Sequence, residues 1–425
     1  MVTHEPHKIK TVRPLSFPSL QERKKYLAEA HFNPINLTPS QVTFDMCSYG
    51  TGAMSQEQLS GQFIGDEAYA GSRNFETLQD AVAQVFGHGY LCPTHNILGS
   101  VKLVVSTMVP DGAAVPTNSN GVAGLLAPRE VEAPYIRDEG EPVFTGNVSG
   151  PALEAALEEG EFPLLLIQAF ADGQHPFSLA NLREIRAFAD QNGIRLMVDG
   201  SRIVENAWYI QKHENGQADR SIAEIVKHVA KTAHVFLFDG GQDAKTNTGG
   251  LLTTDNPDDH EKFMNEVVVF EGLHTYGGMA GRTMEVLARG LLEMCEEDEV
   301  HWVMRQTERF TGRLRDAGIP LERGCDGAYL EADRFLSHLE ANTQDTLSAA
   351  LYLMSGVRAI AGGLVGRDSL VPVQIPRLAM KTDQLDQDAD AIISRYGQRR
   401  EVTALQSTAE GARRDQMEYN RVYTD

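Results

Sequence analysis

The chain has 425 residues and a net charge of -21 at pH 7. The length allows one large core and a smaller second one, and the negative charge excludes nucleic acid or an anionic membrane surface as partner. Cys47, Cys92, Cys295 and Cys325 stand far apart with no CxxC spacing, as reduced thiols do. The amino terminus has no apolar core of signal type, and no run approaches the ~20 apolar residues of a membrane span. The cytoplasm is therefore the expected location.

Residues 1 to about 45 are polar and punctuated by proline, with one helical stretch near Leu20 to Ala30. They read as an arm that packs on another part of the chain. A short strand is expected at Phe44 to Cys47. It runs into Tyr49-Gly50-Thr51-Gly52, a turn whose backbone can approach a ligand closely. Gly65 to Arg73 gathers Asp66, Glu67 and Tyr69 between glycines and reads as a functional loop. The next helix is expected over Asn74 to Phe86, with Asn74 as cap and Gly87 as stop. Leu78, Ala81, Val82 and Val85 fall on one of its faces. Cys92-Pro93-Thr94-His95-Asn96 is a loop that opens an apolar helix, Ile97 to Met108.

From about residue 150 strand and helix alternate. Pro163 to Gln168 reads as a strand. Ser178 caps a helix over Leu179 to Gln191, which Gly193 ends. Ile194 to Val198 is a strand ending at Asp199, and Ala207 to Ala230 is mostly helical. This alternation predicts an α/β fold with a mostly parallel sheet covered on both faces. The pattern centres on His234 to Leu252, where the apolar run Val235 to Phe238 meets Asp239-Gly240-Gly241 and a second pair, Gly249-Gly250, opens another apolar stretch. Such strand ends are where open α/β sheets place their chemistry. One long helical stretch is expected from Gly278 toward Leu314. A second, mixed domain follows, with Ala328 to Leu330 and Val371 to Ile375 as elements.

Several motifs occur in a recognisable order: Gly50-Thr51-Gly52-Ala53, Gly65 to Ser72, Pro93-Thr94-His95, Ser178 to Leu182, Val198-Asp199 to Arg202, Thr275-Tyr276-Gly277-Gly278, Gly366-Arg367-Asp368 and Ile375-Pro376-Arg377. Together they resemble the β-eliminating lyase family (tryptophanase and tyrosine phenol-lyase-like) of fold-type-I pyridoxal-phosphate (PLP) enzymes. The resemblance implies an arm over residues 1–50 packing on the small domain, a large α/β cofactor-fold domain over 51–290 and a smaller α/β domain over 291–425. It also implies a homodimer or homotetramer acting on a small amino acid or related carboxylate.

By the same resemblance, Asp199 matches the pyridine-nitrogen carboxylate and Arg202 the arginine beside the cofactor hydroxyl. Arg377 matches the substrate-carboxylate clamp, which suits its planar fork, and Tyr69 the proton donor to the leaving group. His95 and Asn96 fall in the phosphate cup. Glu67 with the carbonyls of Gly50 and Asn247 matches a monovalent-cation (K) site of hard oxygen ligands.

The departures are as informative. The position of the Schiff-base lysine, before the second glycine pair, holds Gln242, and its neighbouring lysine position holds Gly241. An amide cannot form the imine by which such enzymes hold PLP. Lys245, slightly further on, is expected on an exposed loop unless a rebuilt turn brings its amine inward. The cup reads Asn96-Ile97-Leu98 and lacks its arginine. Asp239 replaces a phosphate-binding serine, and a carboxylate beside a phosphate costs on the order of several kcal/mol even at an effective dielectric of ~20. The ring-stacking aromatic is lost within Thr117 to Gly121, the active-site asparagine becomes Phe170, and the phenol-recognising arginine becomes Gly362.

Three readings follow. The first is a diverged enzyme working without a lysine-bound PLP. It would be metal-dependent, through a transition metal on Asp199, Asp239, Asp243, His95 and His175, should these converge. The second is a conventional PLP lyase using Lys245 or binding PLP only as the external aldimine. The third is a non-catalytic binding protein on an enzyme fold.

Overall fold

A computed structural model describes residues 5–9, 11–47, 52–68, 70–127, 130–138, 140, 142–361, 369–407 and 419–421. The chain divides into two units, one comprising Met1–Pro6 and Gly52–His301, the other His7–Thr51 and Trp302–Asp425.

The first unit is built on a five-stranded sheet of Tyr90–Thr94 (β1), Leu164–Gln168 (β2), Arg195–Asp199 (β3), Val235–Asp239 (β4) and Gly250–Thr254 (β5). The spatial order is β1-β5-β4-β3-β2. β2, β3 and β4 pair in parallel, while β5 runs antiparallel to both β4 and β1. Only one strand is therefore reversed. Every residue of β4 is buried, as its unbroken apolar run requires for a strand covered on both faces.

Helices flank this sheet. Arg73–Val85 (α1) is capped by Ser72 rather than by Asn74. The Asn74 side chain is drawn inward instead, accepting the Asp66 N–H and donating to Glu285. Ile97–Met108 (α2) starts at Asn96, whose Oδ1 accepts the Gly99 N–H at 3.0 Å. Leu179–Asn192 (α3) has the Ser178 cap and ends at Gly193 with φ +67°. It buries Leu182 and Ile185, each worth about 2 kcal/mol of apolar transfer. The expected single helix from Ala207 is two, Ile203–His213 (α4) and Ile222–Thr232 (α5). Ser221 forms a capping box with Glu224, which starts a new helix there. Pro257–Phe270 (α6) follows β5. The stretch beyond Gly278 is likewise two helices, Gly281–Glu293 (α7) and Glu297–Asp316 (α8). No helix among the described residues is long and apolar enough to cross a membrane.

The second unit has a three-stranded antiparallel sheet of Leu321–Arg323 (β6), Gly327–Glu331 (β7) and Leu370–Gln374 (β8), with β7 in the middle. Thr343–Ser355 (α9) and Thr382–Gly397 (α10) pack with it around Phe310, Phe335, Leu347, Val371 and Val373. The helix Leu20–Glu29 lies against α9 through Leu27, Tyr352 and Leu353.

Candidate active site

The register of the first unit's sheet brings polar groups into a row at one edge. Gln168, Asp199 and Leu237 are lateral neighbours on β2, β3 and β4, and Asp239, Gly250 and Thr94 are neighbours on β4, β5 and β1. Four of the five strands point their carboxyl ends at this edge, so the residues after them form the walls of the site.

Asp199 is buried and held on both oxygens. Oδ1 accepts the N–H and hydroxyl of Ser201 at 2.9 and 2.7 Å, and Oδ2 accepts the Gln168 amide at 3.0 Å. Burial pushes its carboxyl above the ordinary range, and the three donors pull the other way. Asp239, also buried, accepts the Gly241 N–H at 3.0 Å. Burial is the main cause that pushes its carboxyl up to about 7, and the like charge of Asp199 adds to it; the Gly241 N–H and the Arg202 guanidinium oppose. Arg202 itself takes a left-handed backbone, φ +64°, and its N–H donates to Asp243 at 3.0 Å.

A second network extends from Gln168. Its Oε1 accepts the Ser119 hydroxyl at 3.0 Å and the Asp172 N–H at 2.8 Å, and Ser119 also donates to Asp172 at 2.8 Å. Asn118 donates to the carbonyls of Gly146 and Gln168. Thus the segment in which the stacking aromatic is lost, Thr117 to Gly121, holds a buried hydrogen-bonded cluster. Phe170 is buried edge-on against Tyr209, centroids 5.4 Å apart.

The turn after β4 is tight. Gly240 N–H bonds to the Gly249 carbonyl, and a Cβ on Gly240 would lie 2.6 Å from Leu287 and 2.8 Å from Thr246 Oγ1. Gln242, at the lysine position given by the resemblance, keeps a buried amide oxygen with no hydrogen-bond partner among the described residues.

Lys245 corrects the expectation of an exposed loop lysine. Its side chain is 1% exposed, and Nζ lies 2.8 and 2.9 Å from the two carboxylate oxygens of Glu299. The physical reason is the turn itself, which at φ +58° directs Lys245 into the body of the unit, where only an ion pair makes burial tolerable. The other five lysines of the unit are also engaged. Lys102 lies 3.8 Å over the Phe270 ring, and Lys212 lies over Trp208. Lys227 donates to the Gln84 carbonyl, Lys231 pairs with Asp255, and Lys262 lies 3.9 Å from Asp259.

His95 and Asn96 stand where β1 meets α2. The His95 carbonyl accepts from Thr248 Oγ1 and from Gly249 N–H, which ties it to the β4–β5 turn. Its ring contacts Glu271. Glu67 turns its carboxylate to Arg282, 2.9 Å from Nε, and Asn247 sits exposed on the turn. Gly50, Tyr69, Gly362 and Gly366-Arg367-Asp368 lie outside the described residues. Arg377 is buried in the second unit, just beyond β8. The five residues considered for a transition metal do not gather: among the described residues no three His, Cys, Asp or Glu side chains form a group able to hold a metal ion. His175 contacts Thr145 at 2.9 Å and Asp243 accepts from Arg202.

The sequence model described as beta-eliminating lyase matches residues 43–369. The chain belongs to the β-eliminating lyase family. A tyrosine phenol-lyase of Pasteurella multocida (strain Pm70) is 33% identical over 94% of both chains. A tyrosine phenol-lyase of Intrasporangium calvum is 34% identical over 94% of this chain and 91% of that one. A probable beta-eliminating lyase of Trichomonas vaginalis is 33% identical, again over 94% of each. Among solved structures, the Sphingomonas wittichii serine palmitoyltransferase superposes with a TM-score of 0.60 at 13% identity, covering 90% of this chain and 98% of that one. The fold is accordingly the fold-type-I PLP-transferase fold.

Sequence reasoning missed Gln168, Ser119, Asp172, Glu271 and Glu299. Gln168 alone carried a signal, a polar residue closing an apolar strand. The others become neighbours only through the fold.

Proposed function

We propose that this family member acts on an amino acid or related carboxylate without a lysine-bound PLP. The observation that carries the reading is Gln242. Its amide oxygen is buried and lacks a partner among the described residues, and an amide carbonyl accepts an N–H but does not condense with an aldehyde. The ammonium of an amino-acid substrate suits that acceptor.

The surroundings do not suit PLP held in the usual way. The buried lysine of the turn, Lys245, has its ammonium on the Glu299 carboxylate. The Asp239 carboxyl takes the Gly241 N–H at the turn where a phosphate would need donors. Tyr69 as proton donor and Arg377 as carboxylate clamp are carried as proposals from the resemblance.

The test is an absorption spectrum of the purified protein titrated with PLP, then borohydride reduction and peptide mapping. No imine band and no reduced lysine are expected. A band with an adduct on Lys245 overturns the reading in favour of a conventional PLP lyase. In Asp239→Ser/Gln242→Lys, which restores the family residues at both positions, PLP is expected to produce the band.

A further inference from the structure

His95 and Glu271 form a contact that none of the preceding roles uses. His95 Nδ1 lies 2.5 Å from Glu271 Oε2, and the same oxygen accepts the His95 backbone N–H at 2.9 Å. The two side chains differ sharply in exposure: Glu271 is 3% exposed and His95 53%. The carboxylate is therefore behind the ring, and the accessible edge of the imidazole is the opposite one, which carries Nε2. No hydrogen bond of Nε2 occurs in the described chain, whereas Nδ1 is committed.

The position is built. Glu271 closes α6, and its carboxylate reaches the first turn of α2 only because residue 99 is glycine; a Cβ there would lie 2.5 Å from Oε1. His95 follows Thr94, which neighbours Gly250 across the sheet, as Gly250 neighbours Asp239. Its carbonyl is bonded to the turn that carries Gln242. The His95 backbone thus follows directly on the strand-end row that holds Asp239.

We infer that His95 and Glu271 are a proton-transfer pair of this site, in which Glu271 fixes the proton on Nδ1 and leaves Nε2 as the accepting atom. This rests on the reading that an amino acid or related carboxylate binds at these strand ends. The lone pair of Nε2 takes a proton from the ammonium of the bound substrate: an Nε2–H bond forms, one substrate N–H bond breaks, and its electron pair stays on the substrate nitrogen as a lone pair. The positive charge gained by the ring is met by the Glu271 carboxylate, and water removes the proton afterwards. A carboxylate that sets the tautomer and orientation of an imidazole is the arrangement that makes histidine an effective base. His95 is the group that would touch substrate; Glu271 is a positioning residue.

The experiment is carbethoxylation of the full-length chain by diethyl pyrocarbonate, with peptide mass spectrometry giving a rate for each histidine. His95 is expected to react fastest. Glu271→Gln is expected to slow His95 about tenfold while the other histidines keep their rates, since a carboxylate on Nδ1 fixes the tautomer and raises the basicity of Nε2. Glu271→Asp should recover part of the loss. Unchanged rates of the other histidines report that the variant is folded. Should Glu271→Gln fail to fold, the wild-type ranking still decides. A His95 rate no higher than that of other exposed histidines overturns the pair, as does a Glu271→Gln rate equal to wild type. The two readings fail separately. A PLP imine band with fast His95 sinks the lysine-free reading alone, and slow His95 with no band sinks the pair alone.

Discussion

Asp199 in the first unit and Asp388 in the second are both buried, and burial pushes both carboxyls upward, Asp388 to about 7. Their surroundings are opposite. Asp199 accepts three hydrogen bonds from Ser201 and Gln168 and is joined through Gln168 to Ser119 and Asp172. Asp388 lies beside Leu351, Val357, Val373 and Ile392, and its Oδ2 has no partner among the described residues. The difference separates a site from an isolated cost. Polar groups that converge and satisfy one another at strand ends can hold a charge ready for chemistry. A lone acid in an apolar wall is held neutral and costs stability when it ionises. The comparison predicts what removing each partner, or each acid, does.

The largest expected effect comes from a buried ion pair, Lys245 with Glu299. If the lysine ammonium serves to neutralise Glu299, Lys245→Ala leaves that carboxylate uncompensated and costs about 3–5 kcal/mol. For a unit of this size the melting temperature falls by about 10 °C. The double variant Lys245→Met/Glu299→Met is expected to return close to wild type, because replacing both members of a buried pair is often neutral. A melting temperature unchanged in Lys245→Ala would break the comparison and point to an amine with a chemical task. Calorimetry of the three proteins decides.

The contrast between the two aspartates marks what local sequence encodes and what only the fold does. Asp199 was legible because it ends an apolar run, and strand ends in an alternating α/β chain are predictable from periodicity and turn residues. The helix over Leu179–Asn192 was legible for the same reason: Ser178 and Gly193 mark both ends locally. Asn74 was misread as a cap because Ser72 two residues earlier performs that task, and only the contact with Glu285 shows what Asn74 is for. Lys245 was misread because its partner Glu299 lies far along the chain. Gln168, Ser119 and Asp172 come from separate segments, so their network follows from sheet register, which no local pattern encodes. Asp388, on a helix with an ordinary amphipathic spacing, gave no sign of being an orphan.

Asp388→Asn probes the second half of the comparison. The folded carboxyl is raised to about 7 from an ordinary value near 4. Its folded state therefore binds the extra proton, and wild-type stability is full below about pH 4 and declines as pH rises to about 7. The loss above pH 7 is at most about 4 kcal/mol, from roughly three pKa units at 1.36 kcal/mol each. Asn carries no such charge. Asp388→Asn is expected to match wild type at pH 4 and to exceed it at pH 8, read by urea unfolding at both pH values.

Gln168→Leu probes the first half, with the smallest effect and the opposite trend. The substitution removes the amide that donates to Asp199 Oδ2 at 3.0 Å, together with the acceptor for Ser119 and for the Asp172 N–H. Hydrogen bonds to a charged group contribute about 1.5–3 kcal/mol, and leucine keeps much of the apolar packing, so a loss of about 2 kcal/mol is expected. Removing a donor to the charged form raises the Asp199 carboxyl further. A raised acid loses stability as pH rises, so Gln168→Leu should be closer to wild type at pH 4 than at pH 8. The two variants therefore diverge with pH, Asp388→Asn gaining on wild type and Gln168→Leu falling behind it. If Gln168→Leu instead gained at pH 8, the Gln168 amide would not be a stabilising donor to the Asp199 carboxyl.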